Sequence, residues 1–273
     1  YPSASVAWSF SEAVSNNSNW FGKLRFGWAQ IGNDTDPYRV ITTNLIQNPF
    51  DGNGRVTLPS TRLNPDLKSE TTETWEVGTE LSFFNRRVNL DFTYYSNKTT
   101  DQIIPVDLSY ATGYGGKWIN SGEMTNKGIE VGLGLSPVRN ENFSWDINLN
   151  FAKNENELVE LDEGLETLLL SNAPFRAQLV AFAGQQYGTI MGTDFIYDDQ
   201  GNKVIDSNGQ YAATNGLVSL GSVLPKWTAG LFNKFRYKNL DLSFLIDVRQ
   251  GGKYYSTSHQ WGMYSGMLQE TVD

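Results

Sequence analysis

Strict two-residue alternation, with charge confined to one side, constrains this chain most. From Glu70 to Phe83 the odd positions include Trp75, Val77, Thr79, Leu81 and Phe83, and the even positions include Glu76, Gly78, Glu80 and Ser82. Side chains leave a β-strand on opposite sides in turn, so the segment has one apolar and one polar face. The pattern recurs. Val88, Leu90, Phe92 and Tyr94 oppose Asn89, Asp91 and Thr93, and Ile129, Val131, Leu133 and Leu135 oppose Glu130 and three glycines. Phe143, Trp145, Ile147, Leu149 and Phe151 oppose Asp146, Asn148 and Asn150. Leu240, Leu242, Phe244, Ile246 and Val248 oppose Asp241, Ser243, Asp247 and Arg249. Ala4, Val6, Trp8 and Phe10 share a face of a first strand, and Trp20, Leu24, Phe26 and Trp28 a face of a second. The class is all-β.

Connections between these segments come in two lengths. Asn85-Arg86, Lys238-Asn239, residues 137–142 and residues 11–19 are short; the stretches at about 32–70, 98–125, 154–225 and 251–273 are long loops. The first long stretch carries Asp36-Pro37, Asn48-Pro49, Asp51-Gly52, Leu58-Pro59 and Asn64-Pro65, pairs that exclude regular central strands. Within 154–225, segments 158–161 and 186–197 read as strand, and 165–170 is ambiguous between strand and helical turn. Asp198-Asp199-Gln200-Gly201 and Asp206-Ser207-Asn208-Gly209 read as hairpin turns. Short turns on one rim and long loops on the other are how outer-membrane barrels are built.

Aromatics mark both ends of the strands. Trp20, Phe83, Phe84, Trp145 and Tyr237 lie near the short turns, and Trp28, Trp75, Tyr94 and Trp227 lie farther along. At about 3.3 Å per residue the two sets are on the order of 25 Å apart, the height of an apolar band between aromatic girdles. A soluble β-sandwich binding module shows the same alternation, core on one face and solvent on the other. Strand length, loop asymmetry and the paired girdles favour an antiparallel up-and-down transmembrane β-barrel. No run approaches the roughly 20 apolar residues of a membrane helix, which leaves a barrel open.

Composition removes other classes. The 273 residues include 30 acidic and 21 basic side chains, a net charge of −9, which argues against nucleic acid as a partner. Absence of cysteine removes disulfides and thiolate metal sites, and a single histidine, His259, leaves no histidine cluster. No metal or cofactor is expected. Asp206-Ser207-Asn208-Gly209-Gln210 lacks the further acids a calcium site needs.

The candidate functional residues form two sets. Glu76, Glu80, Asp91 and Glu130, with Asp146, Asp241 and Asp247, fall on the polar face and are expected to line a lumen. The competing reading is that a lumen is simply where charge is tolerated. Glu76 and Glu80 lie about 13 Å apart by strand rise, too far for paired-carboxylate hydrolysis, so no enzyme is expected. Tyr110, Tyr114 and Trp118, with Trp261 and Tyr264, sit in long loops. Their flat rings suit sugar rings or peptide side chains, or contact with a covering partner; the competing reading is packing of the loop on itself.

Several stretches together resemble one family. Asn64-Pro65-Asp66-Leu67-Lys68-Ser69-Glu70 leads into Trp75-Glu76-Val77-Gly78, followed by Phe83-Phe84-Asn85-Arg86-Arg87-Val88 and Tyr94-Tyr95. Asn120-Ser121-Gly122-Glu123-Met124-Thr125-Asn126-Lys127-Gly128, Asn150-Phe151-Ala152-Lys153-Asn154 and Pro225-Lys226-Trp227-Thr228-Ala229-Gly230 come later. In this order and spacing they resemble the SusC/RagA-type TonB-dependent transporters of Bacteroidetes outer membranes, over residues 1 to about 252. The resemblance implies that residues 1–273 are the C-terminal part of a barrel of about 22 strands, with an N-terminal plug domain outside the present chain. It implies import of an oligosaccharide or peptide, energised through TonB, under a SusD-like surface lipoprotein acting as a lid, with outer-membrane lipid around the barrel. A passive pore or structural barrel is the alternative.

Overall fold

The computed structural model describes residues 1–14, 19–41, 43–162, 164–175 and 177–272. Eight strands form one antiparallel meander. They are β1 (Ser3–Trp8), β2 (Trp20–Asn33), β3 (Glu70–Phe83), β4 (Val88–Thr100), β5 (Glu123–Arg139), β6 (Phe143–Glu160), β7 (Pro225–Tyr237) and β8 (Leu240–Gly251). Each pairs with its neighbour in sequence order, as in an up-and-down wall. From β2 onward the strands are 12 to 18 residues long. A tilted membrane strand needs only about 10, so these strands also rise beyond an apolar band.

Register turns the sequence alternation into rows across strands. Leu24, Thr79, Phe92, Val131, Phe151, Ala229 and Val248 form one row of the apolar face. None of its residues is buried. Phe26 is 46% exposed and Val77 42%, whereas the buried hydrophobic residues are Ile119, Leu158, Ala177, Val180, Ala181 and Ile190, all toward the long-connection end. A sandwich keeps its core against the apolar face of its sheet; this chain keeps its buried hydrophobic residues elsewhere.

The apolar face stops at a definite level. Trp28 pairs with Trp75 and Val77 with Tyr94, and Trp75 and Tyr94 rings lie 5.3 Å apart. Lys127 shares the Trp28–Trp75 row, and one step toward the long connections the same face carries Glu73 and Lys98, with Lys98 bound to Glu123 at 2.6 Å. Trp28 Nε1 donates to Glu73 Oε1 at 2.8 Å, joining ring to charge at that boundary. At the other end Trp20 pairs with Phe83, and Trp145 stacks on Phe235 at 5.5 Å. Asn233, a polar residue on the apolar face, is buried there and accepts a hydrogen bond from Trp145 Nε1 at 3.2 Å.

Several local expectations need correction. Phe10 does not continue β1; it begins the short helix Phe10–Val14, and its ring lies over Gly22 between Trp8 and Trp20. Of the expected 11–19 connection, residues 15–18 lie outside the described residues. The Asn85-Arg86 turn spans 84–87, because Phe84, Asn85 and Arg86 all adopt positive φ before Arg87 N bonds back to Phe83 O. Asp146 sits opposite a register shift between Leu135 and Val138 in β5.

The long connections are built rather than open. Residues 32–70 hold a separate hairpin, Leu45–Phe50 with Asn53–Thr57. Pro49 is tolerated there because a two-stranded ribbon has only edges. The 98–125 stretch is shorter as a loop than expected: β4 runs to Thr100, β5 starts at Glu123, and Ile103–Asp107 with Gly116–Asn120 forms a small sheet joined by Thr61–Arg62. Likewise β6 runs to Glu160, and 165–170 contributes to the strand Thr167–Asn172. That strand belongs to a four-stranded sheet with Gln178–Phe182, Thr189–Gly192 and Val218–Ser222. Residues 251–273 hold the helix Thr257–Tyr264, which carries His259.

Residues 194–214 close into a small knob with threefold repetition, eight residues per repeat. Ile196 N donates to Ala212 O, Ala212 N to Val204 O and Val204 N to Ile196 O, at 2.8–2.9 Å, so three short strands bond head to tail in a ring. Bridges pair Tyr197 with Lys203, Ile205 with Tyr211 and Phe195 with Ala213. At the corners Asp198 N donates to Asn202 O, Asp206 N to Gln210 O and Thr214 N to Asp194 O. The two turns read from the sequence are two of these corners. Gly201 and Gly209 take φ of +81° and +79° there, a conformation that favours glycine.

Candidate functional site

The polar face of the wall is organised by one arginine. Arg25 on β2 lies opposite Gly78 on β3, and its guanidinium lies so close over that glycine that a Cβ would meet Nη2 at 2.9 Å. Passing over β3, it donates to Glu80 Oε1 at 2.5 Å, Asp91 Oδ1 at 2.9 Å and Thr93 Oγ1 at 3.1 Å on β4. Lys23 Nζ reaches the same Glu80 oxygen at 3.2 Å. Glu80 and Asp91, directly paired across strands, are therefore neutralised by two cations. Side chains here are about a third exposed, so the network fixes register more than it adds net energy.

The seven carboxylates separate by partner. Glu80 and Asp91 belong to the Arg25 network. Asp146 accepts from Ser136 Oγ at 2.5 Å and from Arg139 at 3.4 Å, which pins the shifted register of β5. Asp241 accepts from Arg236 Nε at 3.1 Å beside the β7–β8 turn. Among the described residues Glu76, Glu130 and Asp247 form no ion pair. Glu130 and Asp247 border an open hollow of about 580 Å³ whose floor includes Gly132, Gly230 and Ala152.

Glycine shapes the wall above this hollow. Tyr95 lies flat across Gly128, where an added Cβ would sit 2.4 Å from the phenol oxygen, and the phenol reaches Asn154 Oδ1 at 3.1 Å. One step outward, Asn97, Asn126 and Asn156 are direct cross-strand neighbours on β4, β5 and β6. Their Oδ1 atoms are buried without a hydrogen-bond partner among the described residues. Thr74 completes the row on β3. Its residues carry no charge, so it is a neutral band between the charged wall and the outer end. Sequence reading singled out the carboxylates and missed Arg25, the asparagine row and Tyr95. Alternation placed Arg25 and Tyr95 on the polar face, but only register shows what they reach.

The loop aromatics stand in two places. Tyr110 is exposed beside Gly115, Tyr114 lies in the same loop, and Trp118 on the strand Gly116–Asn120 carries the Arg39 guanidinium 3.8 Å above its ring. Trp261 and Tyr264 pack edge-on at 5.9 Å, and Phe175, from the 154–225 stretch, lies 4.7 Å from Trp261. Phe175 was not among the expected residues. The two groups share no ring contact, and each packs on its own surroundings.

Outside the wall, burial raises the Tyr187 hydroxyl above its ordinary value. In the knob, backbone N–H donors hold Asp198 and Asp206 below the ordinary carboxylate value. Asn202 acts first on Asp198 and Gln210 first on Asp206. Among the described residues there is no group of three His, Cys, Asp or Glu able to hold a metal ion, and no helix is long and apolar enough to cross a membrane.

A family model described as "TonB dependent receptor-like, beta-barrel" matches residues 1–266. The chain belongs to this family. It is 32% identical over 94% of its length to TonB-dependent receptor P26 of Formosa agariphila, covering 28% of that protein. It is 27% identical over 90% of its length to TonB-dependent receptor SusC of Bacteroides thetaiotaomicron, covering 27% of it. Among solved structures, the RagAB peptide transporter superposes with a TM-score of 0.75 at 21% identity, over 90% of this chain and 28% of that one. That likeness shows the fold. The chain thus spans less than a third of the length of the relatives it matches. The meander is part of an antiparallel outer-membrane β-barrel, and the family is one of transport proteins, not enzymes.

Proposed function

We propose that this chain is part of the wall of a transporter that imports a nutrient, an oligosaccharide or peptide, across the outer membrane. Import draws energy through TonB, and a SusD-like surface lipoprotein closes the outer end. The family match across residues 1–266 carries this reading. In it, Glu76, Glu80, Asp91, Glu130, Asp146, Asp241 and Asp247 line the lumen, and the Trp28, Trp75 and Tyr94 cluster and the Trp20–Phe83 row mark the two membrane surfaces. Phe84, Trp145 and Tyr237 join the inner girdle and Trp227 the outer one. Residues 1–273 are barrel, with extracellular loops at about 32–70, 98–125, 154–225 and 251–273. Tyr110, Tyr114, Trp118, Trp261 and Tyr264 meet the cargo or the lid. Support comes from the placement of elaborated connections at one end of the strands and from the neutral asparagine row below them. The test is uptake of labelled oligosaccharides and peptides by cells carrying the full-length protein, with TonB active or inactivated. Uptake of one class that stops without TonB is the expected result; uptake that continues unchanged makes the protein a passive pore.

A further inference from the structure

The geometry points to the threefold knob, residues 194–214, as a docking element for a protein surface made of an apolar socket rimmed by lysine and arginine. Four observations carry this. The knob is self-contained: its ring of backbone bonds and its three corners close within the segment. Equivalent residues of the three repeats cluster together on it. Phe195 and Tyr211 meet edge-on at 5.6 Å, with Lys203 Nζ 3.9 Å from the first ring and 5.0 Å from the second. That cation–π contact engages the only basic side chain of the segment. The exposed apolar side chains, from Phe195 and Ile196 at 40% and 43% through Tyr197 and Tyr211 at 49% and 58% to Ile205 at 62%, make an apolar patch on a small unit. Beside that patch stand Asp198, Asp199 and Asp206, all exposed.

The charge is fixed as well as acidic. Asp198 Oδ1 accepts from Gln200 N and Asn202 N at 2.9 and 2.8 Å, and Asp206 Oδ1 from Asn208 N and Gln210 N at 2.8 and 3.0 Å. Donors aimed at a carboxylate favour its charged form. An apolar centre with an anionic rim is complementary to an apolar socket with a cationic rim, the usual division between anchor and rim at an interface. The knob lies in the β6–β7 connection, at the end of the wall opposite the short turns. The assignment rests on the proposed function in one respect: the lid lipoprotein is the partner on that side.

The test uses the full-length transporter in detergent and its purified lid lipoprotein, with affinity measured at two salt concentrations. Tyr197→Ser with Ile205→Ser is expected to weaken the complex by about tenfold or more, the scale of an anchor removed from an interface. Asp199→Lys is expected to weaken it less and to flatten its salt dependence, as a rim charge does. All these positions are exposed, and heat-modifiable gel migration checks that the barrel is intact. Lid affinity unchanged in both variants overturns the docking assignment. So does a wild-type transporter that does not bind the lid while uptake still requires TonB, an outcome that leaves import standing. Knob-dependent lid binding together with TonB-independent uptake sustains the docking surface and overturns the import reading instead.

Discussion

The wall and the knob solve the same problem, satisfying strand edges, by opposite routes. In the wall each strand finds its partner across a turn or a long connection, and register decides which side chains meet. Arg25 reaches Asp91 across 66 residues of sequence. In the knob every partner lies within the segment itself, and two Gly-containing corners eight residues apart, with the Thr214–Asp194 return, close the ring. The wall has an apolar face and no core of its own on that face, because lipid takes that role. The knob has only a cluster of two part-exposed rings and one ammonium. Non-local pairing makes the wall sensitive to single atoms at its close approaches, while local pairing makes the knob sensitive to the charge at its corners.

The largest effect expected from this contrast is at Gly128. Gly128→Val places side-chain atoms against Tyr95 and against Lys153 O, which already lies 2.8 Å from an added Cβ. Folded barrel, read by heat-modifiable migration of the full-length protein, should fall by an order of magnitude or more, since overpacking here also breaks pairing. The same change at Gly216, where nothing lies within 4 Å, should leave barrel yield unchanged. Equal losses at both sites would erase the distinction between wall and outer connections.

Next in size is Arg25→Leu, which leaves Glu80 and Asp91 facing each other with Lys23 alone. A loss of about 1–3 kcal/mol is expected in denaturant unfolding from detergent, because two partly buried acceptors lose their charged donor. No change would mean that the network only tolerates its charges.

A smaller, local effect should follow pH. Folding lowers the carboxylate values of Asp198 and Asp206 from 3.8. Their contribution is therefore complete above that value and is lost as pH falls through the lower, folded-state value. Amide exchange in 194–214 should accelerate below about pH 4 while β2 to β6 stay protected. Asp198→Asn keeps an acceptor for the same N–H groups and should blunt the response at that corner. A knob that holds its protection at low pH would refute the role given to the carboxylates.

The smallest effect is expected at the β3–β4 turn, where three successive non-glycine residues hold positive φ. Arg86→Gly should stabilise the barrel by about 0.5–1 kcal/mol, read as a small rise in thermal midpoint, by removing left-handed strain.

Much of the wall was legible before the structure. Period-two patterning marked all eight strands and sorted their faces, because alternation is a property of the strand backbone alone. The aromatics at both ends of the apolar face were legible for the same reason. The long connections were not: 165–170 carries a weak local signal, and the four-stranded sheet it joins is specified by pairings as distant as Thr189 with Ser222. Phe10 was misplaced because alternation continues by chance one step past the end of β1. The candidate site divides likewise. The carboxylates were visible as charges on a face, but whether each is paired was not.

By itself, then, the sequence determined which side of each strand is polar, where the turns are tight, and the repeated Asp and Gly positions of two knob corners. Each of these rests on the geometry of one strand or one turn. Only the tertiary structure decided that Arg25 joins three strands over Gly78, that three asparagines line up in one row, and that Thr214 returns to Asp194 to close the knob. Those depend on register and ring closure, in which residues far apart in the chain are set side by side by backbone hydrogen bonds that no local pattern records.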